Sequence, residues 1–210
     1  MPHLVLLGDS IFDNAGYVPG GPSVIEHLRR HLPSGWRATL LAVDGSLASS
    51  VLGQLKRLPA DATHLVVSAG GNNALFEGGP LLQEAAGSFV EVLARLAEVR
   101  ANFQAEYRAM VQALLDQGKP LLLCTVYDCI PSLEEAERVG LSLYNELILR
   151  EAFRVGASVL DLRLVCTQRA DFAAVSPIEP SALGGGKIAS AIIRAVTAPT
   201  FAALGTQVFI

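Results

Sequence analysis

Short apolar runs alternate with longer amphipathic stretches along the whole chain, and this alternation constrains the fold more than any other feature. The strand-length runs are Leu4–Leu7, Ala38–Val43, Leu65–Ser68, Leu121–Val126 and Ser158–Leu162. A strand that is apolar on both faces must be covered on both faces, so these runs read as strands of a buried parallel sheet. Helical periodicity fills the gaps over Ser23–Leu32, Ala48–Leu58, Leu81–Gln117, Leu133–Phe153 and Ser181–Val196. The third stretch is too long for one ordinary helix and predicts a break near Gly87. Gly118-Lys119-Pro120 ends it, a glycine cap with proline beyond. The expected class is α/β: a three-layer α/β/α sandwich around a five-stranded parallel sheet joined by right-handed crossovers.

Size and composition fit that architecture as a single domain over residues 1–210, with an apolar tail from about residue 198. A hydrophobic content of 51% against 17% charged residues describes a chain with a large core and excludes disorder. Net charge is −4 and the basic residues are scattered, so there is no footprint for nucleic acid, and a small-molecule substrate is the expected partner. No apolar run is long enough to span a membrane, and residues 4–7 read as a first strand, not a leader. Three unclustered cysteines without CxxC spacing indicate neither a disulfide framework nor a zinc site. No metal or cofactor is called for, and a reduced, cytoplasmic setting is the default. The tail ending Gln207-Val208-Phe209-Ile210 has two readings, a cap on the core or a homodimer contact.

Polar clusters follow four of the strands. Gly8-Asp9-Ser10 follows the first, Asp44-Gly45-Ser46 the second and Gly70-Gly71-Asn72-Asn73 the third. Ser176-Pro177-Ile178-Glu179-Pro180-Ser181 lies beyond the fifth. All four should therefore meet at the carboxyl edge of the sheet, where open α/β sheets bind ligands. A serine hydroxyl, a glycine that lets a backbone N–H approach and an asparagine amide together make equipment for holding a tetrahedral oxyanion.

These residues, in this order, resemble the SGNH (GDSL-like) hydrolase superfamily, whose fold is flavodoxin-like, and the resemblance covers essentially the whole chain. It implies Ser10 as nucleophile, with its own N–H, the Gly45 N–H and the Asn72 side chain as the oxyanion hole. The fourth block departs from the family. Where the family has Asp-x-x-His before a proline, this chain has Ser176 and Glu179 before Pro180, with the following glycines and helix retained.

No other histidine suits the role of base. His3 and His64 stand at strand starts, on the far edge, and His27 and His31 read as surface positions on the first helix. Gly-x-Ser-x-Gly is absent around Ser10, because Phe12 takes the last glycine's place. Gly184-Gly185-Gly186-Lys187 looks like a phosphate loop, but Ile188 follows where Ser or Thr must bind magnesium.

Three functional readings follow. The first is a serine esterase acting on a small ester, with Glu179 as an unconventional base. A carboxylate is about two pH units less basic than imidazole, roughly 3 kcal/mol of driving force, unless burial raises it. The second is an inactive member of the fold that binds an acylated or glycan-like ligand. The third pairs Asp9 or Asp13 with Glu179 as two carboxylates for acid/base hydrolysis.

Overall fold

The computed structural model describes residues 1–83, 87–201 and 205–210. Its strands are β1 (His3–Gly8), β2 (Arg37–Leu40), β3 (His64–Ser68), β4 (Leu121–Cys124), β5 (Ser158–Leu160) and β6 (Val208–Phe209). The helices are α1 (Val24–His31), α2 (Val51–Leu55), α3 (Gly71–Asn73), α4 (Phe89–Leu115), α5 (Glu135–Val155), α6 (Leu162–Val165) and α7 (Ala182–Thr197). All strand pairs are parallel, in the order β2-β1-β3-β4-β5-β6.

The sheet thus has six strands where the apolar runs predict five. The extra strand comes from the tail, whose Val208 and Phe209 pair with Val159 and Leu160. It escapes sequence reading because it is two residues long and lies at an edge, outside any periodic pattern. Phe201, just upstream, is buried. The break expected near Gly87 falls at a cap: Ser88 Oγ accepts the Glu91 N–H at 3.2 Å, and α4 begins at Phe89. Residues 84–86 of that expected helix lie outside the described residues.

The strand pleat sorts the core into two clusters. Leu4 and Leu6 of β1 face α1 and α7, where Val24, Leu28, Ile188 and Ile192 are buried. Val5 and Leu7 face the opposite layer with Val51, Phe103, Tyr107 and Leu147 of α2, α4 and α5. The glycine run of α7 belongs to this packing. A Cβ at Gly184 would overlap the Asp171 carbonyl oxygen, and Gly185 and Gly186 lie against Val24 and His27. Lys187 pairs with Asp171 at 2.6 Å. The run that resembles a phosphate loop is therefore a close contact between α7 and the chain before it.

Gly140, in α5, has open space where a Cβ would stand. Gly184→Ala should therefore destabilise the protein by about 3 kcal/mol through overlap with backbone. Gly140→Ala should stabilise it by about 1 kcal/mol through helix propensity. Thermal melts of the two variants against wild type should move in opposite directions.

Candidate active site

β1 ends on a residue that only glycine can be. Gly8 has φ +119°, and a Cβ there would overlap the Ser68 carbonyl oxygen of β3. The Asp9 N–H then donates to that oxygen at 3.1 Å, which turns the chain off the sheet edge and presents Ser10. Gln54, buried in α2, clamps this turn. Its Oε1 accepts the Gly8 N–H and its Nε2 donates to the Gly8 carbonyl, both at 2.8 Å. The same Nε2 reaches Ser46 Oγ at 3.3 Å, tying the serine turn to the loop that carries Gly45.

That loop is fixed from its other sides as well. The Asp44 N–H donates to Asp13 Oδ2 at 3.0 Å, and the Tyr17 hydroxyl donates to Asp44 Oδ2 at 2.6 Å. Asn72 Nδ2 donates to the Ser46 carbonyl at 3.0 Å, and the Ala48 N–H donates to Asn73 Oδ1, also at 3.0 Å. The structure thus holds the loops of Ser10, Gly45 and Asn72 together through one polar network. The backbone N–H groups of Ser10 and Gly45 donate to no protein acceptor among the described residues.

Glu179 arrives from the opposite end of the chain on a loop pinned through its backbone. Phe172 and Pro180 form an antiparallel bridge, and the Ala173 N–H donates to the Glu179 carbonyl at 2.8 Å. Asn14 Nδ2 donates to the Pro180 carbonyl at 3.0 Å, and the Tyr127 hydroxyl to the Ile178 carbonyl at 2.7 Å. Asp171 accepts the Thr167 and Gln168 N–H groups, each at 3.0 Å, as well as Lys187. The result is a glutamate only 4% exposed.

The site is electrostatically unusual in holding two buried carboxyls. Burial raises Glu179 above the ordinary carboxylate range, and the charge of Asp44 adds to the rise. The hydroxyls of Ser176 and Ser10 act the other way, close enough to stabilise the charged form. Glu179 Oε2 is buried with no hydrogen-bond partner among the described residues. Asp9, 3% exposed, is pushed up to about 7 by burial, partly opposed by the Ile11 N–H at 3.2 Å and helped by the charge of Glu179. Asp13 is committed to the Asp44 backbone.

The four histidines are engaged elsewhere. His3 is buried between Asp61 and Thr39, and His64 lies against Trp36 and Phe201. His27 is not the free surface position its helix suggests, since its Nε2 is 2.9 Å from the Ala182 carbonyl. Sequence reasoning missed Gln54, Asn14, Tyr127 and Asp171. It also missed a cavity of about 140 Å³ whose wall includes Asp9, Ser10 and Asn72.

A parallel α/β sheet with a serine turn, a glycine loop and an asparagine at one carboxyl edge defines a class of hydrolase folds. The chain matches the model of the GDSL-like lipase/acylhydrolase family over residues 6–184, and it belongs to that family. Among solved structures, the acetyl xylan esterase AlAXEase is 18% identical, with a TM-score of 0.68 over 92% of this chain and 99% of that one. An extracellular lipase from Streptomyces rimosus is 19% identical, with a TM-score of 0.62 over 89% and 96% of the two chains. An acetyl xylan esterase variant from Geobacillus stearothermophilus is 18% identical, with a TM-score of 0.64 over 92% and 93%. No curated protein sequence matches significantly. Among the described residues, no helix is long and apolar enough to cross a membrane.

The buried carboxyls give a pH signature. Because Asp9 binds its proton more tightly folded than unfolded, stability is lost as pH rises from about 4 to about 7. The gap between 3.8 and about 7 corresponds to roughly 4 kcal/mol. Asp9→Asn should therefore melt close to wild type near pH 4 and above it at pH 8.

Proposed function

We propose that the protein is a serine acyl-hydrolase in which Glu179 replaces the usual imidazole. The observation that carries this reading is a buried glutamate beside Ser10 with one carboxylate oxygen unpartnered. Ser10 Oγ attacks the acyl carbonyl of an ester while Glu179 takes its proton. The negative oxygen that forms is received by the N–H groups of Ser10 and Gly45 and by the Asn72 amide. Glu179 returns the proton to the departing alkoxide, and water then reverses the sequence to release the acid. Ser176 orients the carboxylate.

Burial solves two problems for such a base. It raises the pKa of Glu179 toward the range useful for proton transfer near neutral pH. It also matters that a carboxylate loses its charge on accepting the proton. The negative charge that would repel the oxyanion disappears in the same step that creates it. Asp9 holds its own proton up to about pH 7 and so adds little repulsion below that.

Hydrolysis of p-nitrophenyl acetate tests the assignment. Ser10→Ala should lower kcat by at least about 10³-fold and Glu179→Gln by about 10²- to 10⁴-fold. Wild-type kcat/KM should rise with pH as Glu179 ionises, along a limb lying above the ordinary carboxylate range. Equal rates for all three proteins would refute the reading.

Replacing Ser176 by Asp and Glu179 by His in one variant should raise activity, because an imidazole with an orienting carboxylate is the stronger base. A folded but inert double variant would count against acyl transfer at this site. Labelling of wild type by a fluorophosphonate separates the hydrolase from an inactive ligand-binding protein.

A further inference from the structure

At the amino end of β1, the opposite edge of the sheet from Ser10, three side chains form a second chain of hydrogen bonds. His3 Nδ1 lies 3.1 Å from Asp61 Oδ1, and His3 Nε2 lies 2.8 Å from the Thr39 hydroxyl. We propose that Asp61, His3 and Thr39 form a second nucleophilic site, at which the Thr39 hydroxyl is acylated by small activated acyl donors such as aryl esters and acyl phosphates. The site is independent of Ser10, because the length of β1 separates the two, about 17 Å of strand.

The positions of the protons follow from the partners. Asp61 Oδ2 is paired with the Arg37 guanidinium, and a carboxylate so paired accepts hydrogen bonds and donates none. His3 Nδ1 must therefore carry the ring proton, which leaves a lone pair on Nε2. The bond between Nε2 and Thr39 must then be donated by the hydroxyl. An alcohol donating to a neutral imidazole, whose other nitrogen donates to a carboxylate, is the arrangement that activates a hydroxyl as nucleophile. His3 is only 2% exposed, and burial, with the charge of Arg37 added, lowers its affinity for a proton and keeps the ring neutral.

Backbone pairing holds this geometry. His3 is paired with Arg37 and Val5 with Thr39, so Arg37 and Thr39 project from the same face of the sheet as His3. Thr63 fixes the backbone of the base: its hydroxyl accepts the His3 N–H at 2.7 Å, and its own N–H donates to the His3 carbonyl at 2.9 Å. β2 is an edge strand paired with β1 alone, and Thr39 is partly exposed on it. The hydroxyl thus faces incoming molecules while the base behind it stays buried.

In the reaction, Thr39 Oγ1 forms a bond to the acyl carbon, its proton passes to His3 Nε2, and Asp61 holds the resulting imidazolium. The bond from the acyl carbon to the leaving oxygen then breaks. That oxygen departs with the electron pair and takes the proton from His3, so the products are an O-acyl threonine and a free phenol or phosphate. Thr39 lies within a regular strand, not at a turn whose N–H groups converge on one oxygen, and each missing oxyanion donor costs about 10²- to 10³-fold in rate. The site therefore needs a good leaving group, reacts once, and retains the ester it forms.

The test exposes Ser10→Ala protein to p-nitrophenyl acetate and locates the acetyl groups by peptide mass spectrometry. Thr39 should be acetylated, at a rate at least tenfold lower when His3→Gln or Asp61→Asn is added. The rate should rise with pH along a limb below the ordinary imidazole value. The groups facing the ring are Asp61 and Arg37, the neutral Thr39 and Thr63, and beyond Thr63 the ring of His64. Removing the Asp61 charge should move the limb to still lower pH, a shift that Thr39 reports only if His3 takes its proton.

Absence of acetyl on Thr39 overturns the assignment, as does labelling unchanged by Asp61→Asn. Asp61 is exposed, so this variant decides the matter even if His3→Gln does not fold. Neither result bears on Ser10, whose role is read from turnover by wild type.

Discussion

The pairing of β1 with β3 inside the sheet is the constraint from which the candidate site follows. Gly8 lies opposite Ser68 so closely that no side chain is tolerated, and the bond from the Asp9 N–H to the Ser68 carbonyl carries the pairing one residue past the strand. Ser10 and Asn72 therefore leave adjacent strands, whose spacing of about 4.8 Å is a property of all sheets. Their separation is set by backbone hydrogen bonding before any side chain contributes. Gln54 extends the same control to the Gly45 loop, by satisfying both polar groups of Gly8 and then touching Ser46.

Charge at the site follows from this rigidity. Two carboxyls, Asp9 and Glu179, are kept from water within one small region, and each rises above its ordinary range chiefly through burial. A looser site would let water in and return both to ordinary acids. Held as they are, they store part of the folding free energy as readiness to take up protons. Sites that perform acid/base chemistry commonly show this trade between stability and function.

How much of this was legible beforehand depended on whether the cause was local. Leu4–Leu7 and the matching run in β3 declare themselves because both faces are apolar, and the class of the fold followed from their alternation with helices. Ser10, Gly45 and Asn72 were visible because each lies in a polar cluster within five residues of a strand's end. Gln54, Asn14 and Tyr127 were not, since their partners are backbone groups 46, 166 and 51 residues away and nothing near them in the chain marks the contact. Glu179 is an intermediate case. Its place was legible from Pro180 and the helix that follows, but a glutamate beside proline ordinarily faces water, and only the folded-back loop buries it. The glycines of α7 were set aside as a phosphate loop because Ile188 follows Lys187, but the close contact their smallness serves was not legible from the chain.

The anchoring of the Glu179 loop has a consequence for how such a protein changes over time. Its main attachments use the carbonyls of Asp171, Ile178, Glu179 and Pro180, together with the Ala173 and Ser181 N–H groups. None of these depends on which side chain occupies position 176 or 179. The loop is a socket whose shape is written in main chain, so the side chains it presents at 176 and 179 can be exchanged without dismantling the scaffold. Substitutions at these two positions leave the bonds that fix the course of the loop in place. The course of the backbone and the identity of the side chains it carries are then open to separate change at this edge of the sheet.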